Sequence, residues 1–146
     1  MAEQVLTGVK VLDLTHHIAG PYCSKLFADY GAEVIKVEQP GGGDPARAEG
    51  PFPGDVPHPE KSGLFLHLNT NKLGITLNLK NPAGVEIFKR LAQEADIVVE
   101  NFRPGVLASM GLSYEVLAEH NPRLVLTHIS NFGQTGPYRD YKATEL

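Results

Sequence analysis

An aromatic ring and a guanidinium stand side by side in the segment NFRPG, residues 101–105. The apolar residues 97–99 just before it predict a buried strand, so Phe102 and Arg103 follow the carboxyl end of that strand. An aromatic side chain packs against a purine base, and a guanidinium binds phosphate oxygens through paired hydrogen bonds. The segment therefore indicates a binding site for a nucleotide-like ligand.

Two lysines lie on either side of another predicted strand, at residues 75–79. Lys72 precedes this strand, and Lys80 ends the segment LNLK, residues 77–80. Ammonium groups suit phosphate or pyrophosphate, but solvated surface lysines are an equally good interpretation of the pattern. The two lysines are therefore candidate phosphate ligands, and both interpretations stay open.

The loop after the first predicted strand, THHIAG at residues 15–20, leads into a helix, where sheets of this kind bind phosphate groups. Because it has the single glycine Gly20 instead of the pattern G-x-G-x-x-G, a nicotinamide-dependent reductase is disfavoured. The adjacent His16 and His17 diverge, so no shared metal ion is expected. His17 is predicted to line the ligand, although a histidine that merely occupies a turn is the commoner case. Glu38 could hold a ribose or be an ordinary strand-end acid.

Strands and helices alternate along the chain, and this order decides where the loops lie. Apolar runs predict strands at residues 9–14, 34–37, 75–79, 97–99 and 124–129, and periodicity predicts helices at residues 21–30, 62–69, 81–92 and 113–120. This order predicts an α/β fold of the Rossmann-like, doubly wound class, with a mostly parallel sheet flanked by helices in a single domain, residues 1–146. Residues 39–61, rich in proline and glycine, should form a long surface loop. The strand-end loops, including the glycine-rich turn at residues 131–138, should then converge at one edge of the sheet.

Composition narrows the class of protein. The chain has 146 residues, of which 42% are hydrophobic and 21% charged, which is typical of a soluble globular domain. The net charge of -4 and the scattered basic residues argue against a nucleic-acid partner. Cys23 is the only cysteine, so no disulfide can form within the chain. No basic leader and no apolar run of about 18 residues is present, so we predict a cytoplasmic protein without a membrane partner.

Four long segments, in order and covering nearly the whole chain, resemble the family III CoA-transferases. They are LTGVKVLDLTHHIAGPYCSKLFADYGAEVIKVEQPGGGD, NTNKLGITLNLKNPAG, ADIVVENFRPGVLASMGL and NPRLVLTHISNFGQTGPY. The family contains formyl-CoA:oxalate CoA-transferase, carnitine CoA-transferase and the α-methylacyl-CoA racemases. Such long collinear agreement is more specific than any single motif.

The resemblance implies that coenzyme A, or an acyl-CoA, binds at the predicted sheet edge, and that no metal is required. The residues implied as CoA contacts are His17, Ile18, Ala19, Gln39, Lys72, Leu77, Asn78, Leu79, Lys80, Asn101, Phe102, Arg103, Lys142, Ala143, Thr144 and Glu145. Gln39 and Ser109 stand where formyl-CoA transferase has arginines. We therefore expect the adenosine-phosphate contacts to be weaker or built differently, through Arg103, Lys72 or Arg47.

The resemblance also implies an activity in acyl-CoA metabolism. The family moves CoA between an acyl-CoA and a small carboxylic acid through an aspartate, which forms a mixed anhydride and then an aspartyl-CoA thioester. This aspartate is expected beyond Leu146, so the chain is interpreted as an amino-terminal portion that contains no catalytic residue and has no transferase turnover by itself.

There are two alternative functions. One is a CoA-binding module without catalysis. The other is an acyl-CoA racemase, which is disfavoured because threonine at position 144 cannot replace the proton-transferring histidine of that branch. The family's interlocked homodimers imply that this chain, too, associates with itself.

Overall fold

In residues 4–143, which the computed structural model describes, five strands form one sheet. They are β1 (Lys10–Asp13), β2 (Glu33–Glu38), β3 (Leu73–Thr76), β4 (Ile97–Glu100) and β5 (Val125–His128). Their order across the sheet is β3-β2-β1-β4-β5, and every neighbouring pair is parallel. The predicted α/β, doubly wound arrangement is therefore confirmed.

Helices connect the strands and cover both faces of the sheet. They are α1 (Ala19–Asp29), α2 (Gly63–Leu68), α3 (Pro82–Gln93), α4 (Val106–Ser109) and α5 (Tyr114–His120). Two short 3-10 helices, Pro45–Ala48 and Pro53–Asp55, lie in the long connection between β2 and α2. Each crossover connection returns the chain to the edge of the sheet where the preceding strand began. All five strands therefore end at the same edge.

Local side chains explain where several helices begin and end. At the start of α2, the Ser62 hydroxyl accepts a hydrogen bond from the Phe65 amide at 3.1 Å. Before α3, the Asn81 side chain accepts one from the Ala83 amide at 2.9 Å. These oxygens accept hydrogen bonds from amides of the first turn, which have no carbonyl partner within the helix. Helix α1 ends before Gly31, which has a φ of +99°, a conformation that residues with a side chain rarely adopt.

Two apolar clusters pack on opposite faces of the sheet. On one face, Leu12, Leu14 and Val98 pack with Phe88 of α3 and Leu117 of α5. On the other face, the alternate strand residues Val11, Val34 and Val99 pack with Ala28 of α1. Successive side chains of a strand point to opposite faces, so this alternation buries both sides of the central strands.

The position of β3 differs from the prediction of a strand at residues 75–79. Leu73 already pairs with Ile35 of β2, and the strand ends at Thr76. The chain then turns, with the Asn81 amide donating to the Asn78 carbonyl at 3.1 Å. The alternating pattern of residues 75–79 therefore spans the end of a strand and a turn, and periodicity alone does not separate the two.

Two further differences concern segments between the strands. Helix α4 was not predicted, because it is short and buries a single residue, Leu107. The segment 39–61 is not wholly a surface loop as expected, since Asp44 and Ala46 within it have no exposed surface. A loop can enter the interior when its polar groups find partners there, and Asp44 has such partners.

Candidate functional site

A groove of about 250 Å³ lies at the carboxyl edge of the sheet. The end of β2 and the segments that follow β1, β2, β3 and β4 contribute to it. Its lining residues are Leu14, His16, Val37, Glu38, Gln39, Pro40, Leu77, Asn78, Leu79, Lys80, Phe102 and Met110. Open parallel sheets bind their ligands at this edge, and the groove has room for a flat ring system.

A second cavity, of about 510 Å³, lies at the opposite end of the strands. Its lining includes Lys10 and Glu33, the first residues of β1 and β2, together with Arg90 and Glu94. Loops at the amino ends of parallel strands do not form the usual ligand crevice of this fold. The groove at the carboxyl edge is therefore the better candidate site, although it is the smaller of the two.

Two aromatic rings meet in the groove. The rings of His16 and Phe102 lie 5.5 Å apart between centroids, with 58° between their planes. Burial lowers the pKa of His16, and the neighbouring Lys36 acts in the same direction, which outweighs the opposite effect of Asp44. The imidazole is therefore neutral near pH 7. An uncharged aromatic pair with apolar neighbours can hold a planar base.

The turn after β3 forms a second wall of the groove. Its shape is held by the Asn78 side chain, which accepts a hydrogen bond from the Lys80 amide at 3.0 Å. Gly84 of α3 lies directly against this turn, because a Cβ atom at that position would be 2.0 Å from the Asn78 carbonyl oxygen. Lys80 itself is exposed, so its ammonium is available at the rim.

The segment NFRPG is tied to the end of β1. The Asn101 side chain accepts from the His16 amide and donates to the His16 carbonyl, each at 2.8 Å. One residue earlier, the buried Glu100 carboxylate accepts from the Phe102 amide at 2.6 Å and contacts the imidazole of His128. These contacts fix the position of Phe102 relative to His16.

The family model "CoA-transferase family III" matches residues 6–146. The chain belongs to CoA-transferase family III. It is 47% identical over 142 residues to a formyl-CoA:oxalate CoA-transferase of Rhodopseudomonas palustris, an alignment that covers 97% of this chain and 32% of that protein. It is 48% identical to the human succinyl-CoA:glutarate CoA-transferase, with 90% and 29% covered. The chain thus spans about a third of the length of the curated relatives it matches.

Solved structures share the fold of this chain. The fold matches Rv3272 of Mycobacterium tuberculosis with a TM-score of 0.85 and 37% identity, covering 96% of this chain and 38% of that one. It also matches a CAIB/BAIF family protein of Brucella suis with a TM-score of 0.86 and 38% identity, covering 96% and 37%. In both cases the described domain corresponds to only part of a longer chain.

The groove of this family III chain brings together only some of the residues that the sequence indicated. Gln39, residues 77–80 and Phe102 line it, whereas Asn101 lies behind it with its amide bonded to His16. The groove is also lined by residues that the sequence did not indicate, namely Leu14, His16, Val37, Pro40 and Met110. Leu14, Val37 and Pro40 lie at or near strand ends, but an apolar residue there carries no chemical signal. His16 follows β1, where a histidine that merely occupies a turn is the commoner case, and Met110 follows α4.

The start of α1 lies beside the groove without lining it. His17, Ile18 and Ala19 are exposed, and the His17 imidazole lies 3.6 Å from the Glu49 carboxylate. His17 has a positive φ of 62°, which is uncommon for a residue with a side chain. Its backbone amide is already used, because it donates to Asp44.

Lys72 does not provide the free ammonium that the sequence suggested. Its side chain is 1% exposed and donates to Asp13 Oδ2, the Pro21 carbonyl and Asn69 Oδ1, at 2.8 to 2.9 Å. These three acceptors use all the protons of the ammonium group. A phosphate contact by Lys72 would therefore require at least one of these hydrogen bonds to break.

Arg47 is also engaged inside the protein. Its guanidinium donates to both carboxylate oxygens of Glu38, at 2.7 and 2.8 Å, and lies 3.7 Å above the Phe65 ring. Glu38 additionally accepts from the Asp44 amide at 2.9 Å. A phosphate role for Arg47 and a ribose role for Glu38 would both require these bonds to break. Of the cations considered, Lys80 and Arg103 remain exposed at this edge.

Ser109, Lys142 and Ala143 are not among the residues that line the groove. The Ser109 hydroxyl donates to the Val106 carbonyl at 2.7 Å within α4, so it does not replace a groove cation. Lys142 and Ala143 are exposed, and the Ala143 carbonyl accepts from the Asn131 side chain. Thr144 and Glu145 lie outside the described residues.

A buried cluster of four charges, which the sequence patterns did not predict, lies beneath the loops of the groove. It consists of Asp13, Lys36, Asp44 and Lys72, and we call it the buried charge cluster. Burial raises the pKa of Asp13, but the ammonium groups of Lys36 and Lys72 and the Ser24 and Thr15 hydroxyls more than compensate, so the pKa is lowered. A signal was present, because Asp13 and Lys36 interrupt strands that are otherwise buried, and such charges need partners.

Proposed function

We propose that this chain is the CoA-binding part of an enzyme that moves CoA between an acyl-CoA and a small carboxylic acid. The observation that carries the proposal is the neutral aromatic pair of His16 and Phe102 in a groove whose rim presents Lys80 and Gln39. A purine base fits against the rings, and the phosphates of the same nucleotide reach the exposed cations at this edge. The curated relatives named as CoA-transferases support the choice of CoA over other nucleotides.

The proposed contacts follow from the position of each side chain. Among the lining residues, Phe102, His16, Leu77 and Leu79 pack on the base. Lys80 at the rim and the exposed Arg103 bind phosphate oxygens. Gln39 offers a neutral hydrogen-bonding group at the rim. The exposed residues His17, Ile18 and Ala19 lie next to the groove and extend the surface along which the rest of the ligand can run.

Transfer chemistry needs a carboxylate nucleophile, and none is free in the groove formed by residues 4–143. Glu38 is the one acidic residue among the lining residues, and Arg47 occupies both of its oxygens. Asp13 and Asp44 are fully buried in ion pairs. We therefore propose that residues 1–146 form one domain that binds CoA, and that this polypeptide alone shows no transferase turnover.

Homodimer formation and a cytoplasmic location remain part of the proposal. Tyr22 and Leu26 of α1 and Tyr30, which follows its last residue, are spaced four residues apart and are 49%, 41% and 59% exposed, which is compatible with a covered surface in an assembly. In residues 4–143, no helix is long and apolar enough to cross a membrane.

Isothermal titration calorimetry of the purified chain with CoA tests the binding proposal. The Phe102→Ala variant should bind CoA about five- to 150-fold more weakly, because stacking of a base on an aromatic ring is worth about 1–3 kcal/mol. Tyr114→Ala is the matched control, since Tyr114 is an exposed aromatic residue on α5, away from the groove. Absence of wild-type binding would remove the proposal, and equal binding by both variants would place the base elsewhere.

A further inference from the structure

The glycine-rich loop after β2 folds back and contacts the loop between β1 and α1. Asp44 makes the connection and is fully buried. Its Oδ1 atom accepts hydrogen bonds from the backbone amides of His17 and Ala46, at 3.0 Å each. Its Oδ2 atom lies 3.0 Å from the ammonium of Lys36. One side chain therefore links two strand-end loops to the centre of β2.

Lys36 completes this link from within the sheet. It is 2% exposed, and its ammonium also donates to the Thr15 carbonyl at 2.8 Å. Burial raises the pKa of Asp44, but the charge of Lys36 and the His17 and Ala46 amides outweigh this effect and leave the pKa lowered. Asp44 is thus a charged acceptor at neutral pH, and Lys36 balances its charge.

Both loops that Asp44 joins contribute walls of the groove. His16, whose ring packs on Phe102, immediately precedes the anchored amide of His17. Gln39 and Pro40 lie at the start of the other loop. Gly43 permits the return of this loop, because a Cβ atom there would lie 2.6 Å from Glu38 Oε2. A shift of Asp44 therefore moves two walls of the groove together.

We propose that Asp44 is a positioning residue of the CoA site, which holds the His16 loop and the Gln39 loop in their binding positions before the ligand arrives. The proposal rests on the function proposed above. Asp44 touches no ligand in this scheme. It improves affinity because loops that are already ordered lose less conformational entropy on binding.

Two double variants separate the hydrogen-bond acceptor from the charge. Lys36→Met/Asp44→Asn keeps an oxygen for both amides and leaves no unpaired charge, whereas Lys36→Met/Asp44→Ala removes the acceptor in the same neutral background. By calorimetry, the asparagine variant should bind CoA within about threefold of wild type, and the alanine variant about tenfold more weakly. Amide hydrogen exchange at His17 and Ala46 should be at least about tenfold faster in the alanine variant.

The control is Asp55→Asn, an exposed position in the same long loop, whose positive φ of 56° asparagine tolerates. It should match wild type in both measurements. A merely structural role would lower the melting temperature of the alanine variant and leave its CoA affinity unchanged where it is fully folded. That result overturns the proposal.

Failure of the function and failure of this inference are distinguishable. If the wild-type chain binds no CoA, the proposed function is wrong, and hydrogen exchange alone decides the positioning role. Equal exchange of His17 and Ala46 in the two double variants then refutes it. Should the alanine variant not fold, Lys36→Met/Asp44→Ser replaces it, because the short hydroxyl cannot serve both amides at the present spacing.

Discussion

Substitution by methionine should lower the stability of the chain at Lys72 and weaken CoA binding at Lys80. Lys72→Met removes an ammonium with three hydrogen bonds and leaves Asp13, which has no exposed surface, with the more distant Lys36 at 4.0 Å. Breaking a buried ion pair by removing one partner costs about 3–5 kcal/mol of the free energy of unfolding. Because small domains are stable by only about 5–15 kcal/mol, this variant should unfold at much lower urea concentrations.

Lys80→Met should leave the free energy of unfolding almost unchanged, because Lys80 is exposed and its side chain makes no ion pair among the described residues. It should weaken CoA binding about fivefold, since an exposed contact between an ammonium and a phosphate is worth about 1 kcal/mol. Urea unfolding followed by circular dichroism measures the first property, and calorimetric titration of the folded chain measures the second.

A double-mutant cycle identifies the source of the Lys72 effect. Combining Lys72→Met with Asp13→Asn should cost less than the sum of the single changes, by about 0.5–3 kcal/mol, because the two groups interact directly. If Lys72→Met lowers stability by less than about 1 kcal/mol and weakens CoA binding instead, the assignment of Lys72 to the buried charge cluster is wrong. The original expectation of a phosphate contact would then be correct.

Two further predictions concern pH and packing. Three carboxyl groups have lowered pKa values in the folded chain, although burial by itself raises them: Asp13, Glu38 and Asp44. In the unfolded chain their pKa values are about 3.9 to 4.3, so as the pH falls the unfolded chain binds protons before the folded chain does. Their stabilising effect is therefore complete above about pH 5 and is lost as the pH falls further; a constant urea midpoint from pH 7 to pH 3 would contradict this. Gly84→Ala should destabilise the chain by about 1–3 kcal/mol, because the new methyl group overlaps the Asn78 carbonyl. Gly74→Ala, where nothing lies within 4 Å, should cost less in the same urea assay.

The fold could be predicted from sequence where apolar runs are long and bounded. The strand at residues 97–99 and the helix at residues 81–92 nearly coincide with β4 and α3, because Asn81 and Pro82 mark the start of the helix and the apolar positions have a clear period. β3 was misplaced, since it is a short edge strand whose limits depend on pairing with β2. Such pairing is tertiary information that a local pattern does not contain.

The site could be predicted only to the level of loops. Parallel strands place their carboxyl ends together, so the convergence of the loops after β1, β2, β3 and β4 follows from the order of elements. The sequence did not reveal which polar side chains face the groove and which face another loop. Lys72 and Lys80 have identical chemistry, and only the burial of one and the exposure of the other distinguish them.

Asn101 shows how a side chain beside the candidate site can be required for the geometry of two loops. In the last backbone hydrogen bond between the end of β1 and β4, the Leu14 amide donates to the Val99 carbonyl at 2.9 Å. Beyond it, the Asn101 side chain bonds to both the amide and the carbonyl of His16, as a neighbouring peptide group would. An aspartate of the same shape would face the His16 carbonyl without a proton to donate. The geometry therefore explains an amide at this position through the pairing of two loops, and the position of His16 in the groove follows from that pairing.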